Sequence, residues 1–124
     1  MGAFVAKELL RREPRAEVVI IDADAARAAS LAATLSPTTV ARACDARATD
    51  ELAALLRGCA VTVNAAQYDI NLDVMRACLA ARSHYLDLGG MFHTTRRQLV
   101  LSAEFAAAGL TAVLGMGAAP GLTN

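Results

Sequence analysis

The chain has 124 residues, of which 56% are apolar and 4% aromatic, and its 12 Lys and Arg balance its 12 Asp and Glu. This length fits one domain. The balanced charge excludes a basic surface that binds nucleic acid or anionic lipid. The few aromatic rings exclude a stacking platform for single-stranded nucleic acid. No apolar run approaches the roughly 18–20 residues that span a bilayer, and the first ten residues lack a signal-peptide pattern, so the sequence predicts a cytoplasmic protein without membrane or nucleic-acid partners.

Helical and strand-like apolar patterns alternate along the chain. The first is a helix over residues 3–12, with Val5 and Leu9 on one face and Pro14 beyond its end. The predicted elements that follow are a strand at 18–22, a helix at 25–35, a weaker strand at 38–44, a short helix from 49, a strand at 60–64, a helix around 72–79, a strand at 84–88, a helix from 94 or 95 to 108 and a strand at 110–114. Such alternation is typical of right-handed βαβ units and a parallel sheet.

Small polar residues and glycines mark the ends of the predicted helices. Asp24 and Thr49 are the expected N-caps of the second and third helices, and Thr94 or Thr95 that of the last. Gly58 and Gly109 are expected to end helices.

The apolar, β-branched run at residues 18–21 ends at Asp22, which lies about 20 positions after Gly2. That is about the spacing between a Rossmann glycine turn and the acid that holds the ribose of a dinucleotide. The alternation alone also suits a flavodoxin-like fold, but Gly2 and Asp22 favour a Rossmann-like, doubly wound parallel α/β sheet.

By this interpretation the chain begins inside the phosphate loop, so the first strand of the sheet is absent. In the strand order 3-2-1-4-5-6 that strand is central, and its roughly five buried apolar residues at about 2 kcal/mol each would match the whole net stability of a domain, about 5–15 kcal/mol. We therefore expect a truncated reading frame whose product is unstable, or one that pairs its second and fourth strands.

Asp22 is the most informative candidate residue. A carboxylate at the end of the second strand accepts hydrogen bonds from both adenosine ribose hydroxyls and repels a 2′-phosphate, so it favours NAD over NADP, with NADP as the alternative cofactor. The competing interpretation is a helix-capping or solvated aspartate.

Polar and small residues at the ends of the next two strands are further cofactor-binding candidates. Asp45 either bonds the adenine or caps a turn. Asn64 either satisfies the exposed strand edge or contacts the dinucleotide, and the small Ala65 and Ala66 let a cofactor approach the backbone.

Asp87 and the glycines that follow it, Gly89 and Gly90, lie at the carboxyl end of the next strand, near the expected nicotinamide. Asp87 is the one candidate catalytic residue. His84 is interpreted as a partly exposed or core histidine and His93 as a solvated loop residue.

The three cysteines are an odd number without a C-x-x-C pair, so we expect Cys44, Cys59 and Cys78 to be reduced packing residues and expect no metal site.

Three stretches together resemble the nucleotide-binding domain of the saccharopine dehydrogenase family, which includes lysine dehydrogenases and saccharopine reductases. They are residues 71–79, 84–90 and 117–124. The resemblance covers essentially the whole chain, and its specific part is the pair HYLDLGG and GAAPGLTN.

The resemblance implies an NAD(P)-dependent oxidoreductase that acts on the C–N bond of an amino-acid-derived substrate. It implies that Gly2, Asp22, Asn64 and Ala65 line the cofactor, and that Asp87, Gly89 and residues 120–121 lie near the reacting end. It also implies an NAD(P)-binding domain over residues 1–119 and, from 120, the start of a missing substrate domain, through which the protein would form a homodimer. The chain alone is then expected to be inactive.

Two other functions stay open. One is a non-catalytic nucleotide-binding or redox-sensing module on the same fold, or an inactive fragment, because fold does not fix function. The other is a different amino-acid dehydrogenase, acting on aspartate or homoserine, against which the HYLDLGG stretch argues.

Overall fold

A computed structural model describes residues 1–117 of the chain. Backbone contacts divide the chain into two compact units, Met1–Ala46 and Arg47–Asn124. Each unit contains its own parallel sheet with helices packed on it.

The first unit contains two helices and two strands. They are α1 (Gly2–Arg12), β1 (Val19–Asp22), α2 (Ala25–Ala33) and β2 (Val40–Ala43). The β-branched residues of β1 pair in parallel with β2, with Val19 opposite Val40 and Asp22 opposite Ala43. Helix α2 packs on both strands and buries the small side chains Ala28 and Ala32, which permit close approach to the sheet.

The second unit contains four helices and three strands among its described residues. They are α3 (Thr49–Leu56), β3 (Val61–Asn64), α4 (Asn71–Ala81), β4 (His84–Asp87), α5 (Phe92–Leu99), α6 (Ser102–Ala107) and β5 (Ala112–Val113), with a 3₁₀ turn at Tyr68–Ile70. The strands form a parallel sheet in the order β3-β4-β5.

Helix α4 forms the centre of the second unit. It packs against α3, α5, β3 and β4, and its residues Met75, Ala77 and Cys78 are at most 1% exposed. None of the helices within residues 1–117 has both the length and the apolar character needed to cross a bilayer.

The parallel α/β fold is confirmed: the first unit holds the parallel pair β1-β2, and the second holds the parallel sheet β3-β4-β5.

The expected helix ends are confirmed in three places and wrong in two. The Asp24 carboxylate caps α2 by accepting from the backbone N–H groups of Ala26 and Arg27. Gly58 and Gly109 follow helices with φ of +85° and +68°, angles that favour glycine.

The two wrong caps, Thr49 and the pair Thr94 or Thr95, lie inside a helix rather than before it. Thr49 is itself the first residue of α3 and makes no capping hydrogen bond. Thr94 is buried within the first turn of α5, which begins earlier, at Phe92.

The single helix expected to run to residue 108 is also wrong, because the chain turns between α5 and α6. Leu101 N–H donates to Gln98 O over 3.0 Å, three residues back, and this tighter turn ends α5. It buries Leu101 and leaves Val100 76% exposed. The burial of Leu101 together with Phe105 explains the break.

Candidate functional site

The turn that follows β1 holds the carboxylate of Asp22 in a fixed orientation. Asp22 Oδ1 accepts a hydrogen bond from Asp24 N–H over 2.9 Å, an Asx-type turn made by the last residue of the strand. The Asp22 side chain is 31% exposed. The carboxylate therefore shapes the turn and is partly exposed at the carboxyl end of a parallel strand, and its role in holding a ribose stays a prediction.

The Arg27 side chain lies beside the two acids of this turn. Its guanidinium is 3.8 Å from Asp22 Oδ2 and 3.9 Å from Asp24 Oδ2, and the side chain is 72% exposed. These are ion-pair distances rather than hydrogen bonds. The turn thus presents one cation against two carboxylates.

The other candidates of the first unit lie near helix and strand ends. Gly2 is the half-buried first residue of α1. Asp45 is exposed and lies two residues beyond the end of β2. Their cofactor roles stay predictions.

A buried polar cluster lies at the carboxyl ends of β3 and β4. We call it the Asp87 cluster; it comprises Asn64, Asn71, Tyr85, Asp87 and Gln98, each at most 6% exposed. Strands β3 and β4 place Asn64 and Asp87 side by side, because these two residues are partners in the parallel register. Helices α4 and α5 supply Asn71 and Gln98.

Five donors converge on the two oxygens of Asp87. Oδ2 accepts from Tyr85 Oη at 2.9 Å, Gln98 Nε2 at 2.7 Å and Asn71 Nδ2 at 3.3 Å. Oδ1 accepts from the backbone N–H groups of Gly89 at 2.9 Å and Gly115 at 2.8 Å. No Lys, Arg or His ion-pairs with Asp87 in the described part of the chain, so hydrogen bonds alone compensate the buried charge.

The environment of Tyr85 follows from this arrangement. Burial first, and the neighbouring Asp87 charge second, raise the pKa of the Tyr85 phenol above its ordinary range. Tyr85 therefore stays a neutral hydrogen-bond donor to the carboxylate. Both carboxylate oxygens of Asp87 accept hydrogen bonds from protein groups, so the arrangement fits a carboxylate that holds loops in place. Its role as a catalytic residue stays a prediction.

Asn64 connects the β3 turn to the Asp87 cluster. Its Oδ1 accepts from Ala66 N–H over 3.2 Å and its Nδ2 donates to Asn71 Oδ1 over 2.8 Å. These bonds satisfy the strand end, and a contact between Asn64 and the dinucleotide stays a prediction. Ala65 is half-buried and Ala66 is exposed, and both follow β3 directly at its carboxyl end.

Close backbone packing fixes the glycines beside the cluster. A Cβ at Gly90 would lie 2.7 Å from Tyr68 Cβ, and one at Gly117 would lie 2.2 Å from the carbonyl oxygen of Leu88. Gly89 adopts a φ of +115°. These contacts join the loops that follow β3, β4 and β5.

The histidines lie outside the Asp87 cluster. His84 Nδ1 accepts from Thr111 N–H over 3.0 Å, as expected for a satisfied histidine at the amino end of β4. His93 is exposed as predicted, but it lies in the first turn of α5 rather than in a loop.

The three cysteines are free thiols, with Cys44 and Cys78 buried and Cys59 half-buried. Across residues 1–117 no group of three His, Cys, Asp or Glu could hold a metal ion.

Sequence reasoning missed Tyr85, Asn71 and Gln98 as members of the cluster. The available signal was a polar residue at an inward helical position: Gln98 falls between the inward Thr94 and Leu101, and Asn71 precedes the apolar face of α4. Residues 120 and 121, expected near the reacting end, lie outside the described residues.

Comparison with known proteins adds two findings. Residues 1–113 match a family model described as the saccharopine dehydrogenase NADP binding domain. The chain also resembles a solved structure of apo histidine-tagged saccharopine dehydrogenase (L-Glu forming) from Saccharomyces cerevisiae, with a TM-score of 0.78 and 20% identity, over 97% of this chain and 26% of that one. At this identity the likeness shows the fold, and the chain spans about a quarter of the length of that relative.

Proposed function

Because the chain belongs to the saccharopine dehydrogenase family through the NADP-binding domain, we propose that it binds NAD(P) for an oxidoreductase acting on the C–N bond of an amino-acid-derived substrate. The NAD(P) cofactor itself follows from the family. We propose, beyond that, the reaction and the substrate class. We also propose the role of each residue and assembly as a homodimer through a further domain.

The observation that carries the proposal is the position of Asp22. It ends β1, its orientation is fixed by Asp24 N–H, and its side chain is 31% exposed. A carboxylate in this position accepts the hydroxyls of an adenosine ribose. Asp45, two residues beyond the neighbouring strand, is assigned to the adenine, and Gly2, at the start of α1, to the pyrophosphate.

At the carboxyl ends of β3 and β4, Ala65, Ala66 and Gly89 present backbone without bulky side chains, as close approach of a cofactor requires. Asp87 holds the first residues of the loops that follow β4 and β5. In this proposal the Asp87 cluster keeps those loops in one arrangement, so that the cofactor and the substrate meet a rigid surface.

The cofactor, when bound, supplies hydride exchange at the nicotinamide. In the oxidative direction the amine carbon loses a hydride, the nitrogen loses a proton, and the products are an imine, NAD(P)H and H⁺. No described side chain is assigned to move that proton.

The buried position of Asp87 favours a second candidate function. If the one candidate acid is engaged by five donors, a nucleotide-binding module without catalysis is the natural alternative.

A titration with NADH and NADPH, followed by the fluorescence of the dihydronicotinamide, tests the proposal. We expect saturable binding, and we expect Asp22→Ala to weaken NADH binding about tenfold because bonds to a charged group are lost. Glu17→Gln, which removes an exposed carboxylate before β1, is the matched control and should leave the affinity unchanged.

Absence of saturable binding for both nucleotides would overturn the proposal. Turnover separates the two candidates: formation of reduced nucleotide from NAD(P)⁺ and a secondary-amine amino acid supports the oxidoreductase, and binding without turnover supports the module.

A further inference from the structure

We propose that Arg27 determines whether this site accepts a 2′-phosphorylated cofactor, by forming the phosphate-binding side of the turn that Asp22 begins. This inference rests on the proposed function, since it concerns the ribose held by Asp22. It assigns a selectivity residue where Asp22 alone predicts rejection of NADP.

The Arg27 guanidinium forms only weak ion pairs with the two acids of this turn. Asp24 uses its Oδ1 to accept the backbone N–H groups of Ala26 and Arg27 at 2.9 and 3.1 Å, and Asp22 uses its Oδ1 to accept Asp24 N–H. The two remaining carboxylate oxygens are 3.8 and 3.9 Å from the Arg27 guanidinium. Among residues 1–117 no side-chain hydrogen bond of Arg27 accompanies these two weak ion pairs.

Exposed ion pairs at such distances stabilise a protein very little. Little stabilisation is therefore lost when the Arg27 side chain turns toward a ligand. Its guanidinium carries parallel N–H donors that match the oxygens of a phosphate. The side chain is 72% exposed, and Arg27 is the third residue of α2, which begins three positions after Asp22.

The charges beside the ribose determine whether a 2′-phosphate is accepted. Asp22 without a neighbouring cation would repel a phosphate on the 2′-oxygen. With Arg27 beside it, one of the two carboxylate charges of the turn is balanced, and the guanidinium offers the phosphate direct hydrogen bonds. A ribose with a free 2′-hydroxyl uses Asp22 alone, so the two cofactor types depend on different residues of one turn.

The test uses the adenosine halves of the two cofactors, 2′,5′-ADP and 5′-ADP, titrated calorimetrically into the chain and its variants. Arg27→Gln should weaken 2′,5′-ADP binding about tenfold, the loss expected when hydrogen bonds to a charged group are removed, and leave 5′-ADP binding within about twofold. Arg27→Lys should give an intermediate loss of 2′,5′-ADP affinity, because lysine keeps the positive charge but lacks the parallel N–H donors of the guanidinium. Arg15→Gln, an exposed arginine before β1, is the control and should change neither affinity.

Equal effects of Arg27→Gln on the two ligands, or no effect on either, would overturn the inference while the proposed function stands. Failure of both ligands to bind the unaltered chain would overturn the proposed function and this inference with it. Because the Arg27 side chain is exposed, a circular-dichroism spectrum identical to that of the unaltered chain is the expected control for folding.

Discussion

The backbone N–H of Gly115 donates to Asp87 Oδ1 over 2.8 Å, which joins residues 28 positions apart in the chain. The same oxygen accepts Gly89 N–H, and Met116 N–H donates to the backbone oxygen of Asp87 over 2.9 Å. One residue at the end of β4 therefore fixes the starts of two loops.

Asp87→Asn should lower the free energy of unfolding by about 3 kcal/mol, because the amide offers one acceptor oxygen where five donors converge, and its own N–H₂ faces other donors. Urea denaturation measures the change. Glu17→Gln, the same kind of substitution at an exposed site, should change the stability by less than about 0.5 kcal/mol. An Asp87→Asn variant as stable as the unaltered chain would contradict the hydrogen-bond account.

Tyr85→Phe removes one of the five hydrogen-bond donors to Asp87 and keeps the aromatic ring that packs in the core. Loss of the 2.9 Å bond from Tyr85 Oη to Asp87 Oδ2 should cost about 1–2 kcal/mol, less than Asp87→Asn, because four donors still satisfy the carboxylate. Denaturation of both single variants and the double variant checks this. The double variant should be less destabilised than the sum of the singles, since the two residues share a bond; strict additivity would show that they act independently.

Asp24→Ala should lower stability by about 1 kcal/mol through loss of the N-cap of α2. Thr49→Ala is the matched control, because Thr49 begins α3 without a capping hydrogen bond, and it should change stability by at most about 0.5 kcal/mol. Thermal melts of the two variants, compared under one condition, measure the difference. Equal losses would mean that the Asp24 carboxylate contributes nothing specific to the helix end.

Alkaline pH should destabilise the fold. Burial raises the pKa of the Cys78 thiol from 9.0 to about 11, so between about pH 9 and pH 11 the unfolded chain releases a proton that the folded chain retains. The unfolding free energy must then fall as pH rises through this range, and the raised pKa of Tyr85 continues the fall above its ordinary value of 10.0.

Denaturation at several pH values measures this slope. Cys78→Ala should reduce the slope between pH 9 and 10, whereas Val74→Ala, a buried control on the same helix, should lower stability at every pH and keep the slope. A slope unchanged in Cys78→Ala would contradict the assignment to this thiol.

Local signals predicted the fold more fully than they predicted the site. The β-branched run in β1 and the carboxylate at Asp24 define a strand and a cap from neighbouring residues alone. The break after Leu99 depends on how Leu101 packs, which no helical periodicity reveals.

The contacts of Asp87 explain why the site was harder to predict. Asn71 and Gln98 reach Asp87 from 16 and 11 positions away in the sequence. Only the packing of helices on the sheet brings these three side chains together. The sequence marked Asp87 by its place at a strand end, and could not show which donors would surround it.

The Asp87 cluster also constrains how this chain changes over evolution. A substitution at Asn71 or Gln98 leaves a partner without its hydrogen bond, and a second substitution elsewhere in the cluster is then needed to restore it. The five positions are thus expected to covary as a block, and a homologue that has lost the acid at 87 should have replaced several of its partners with apolar residues in the same lineage.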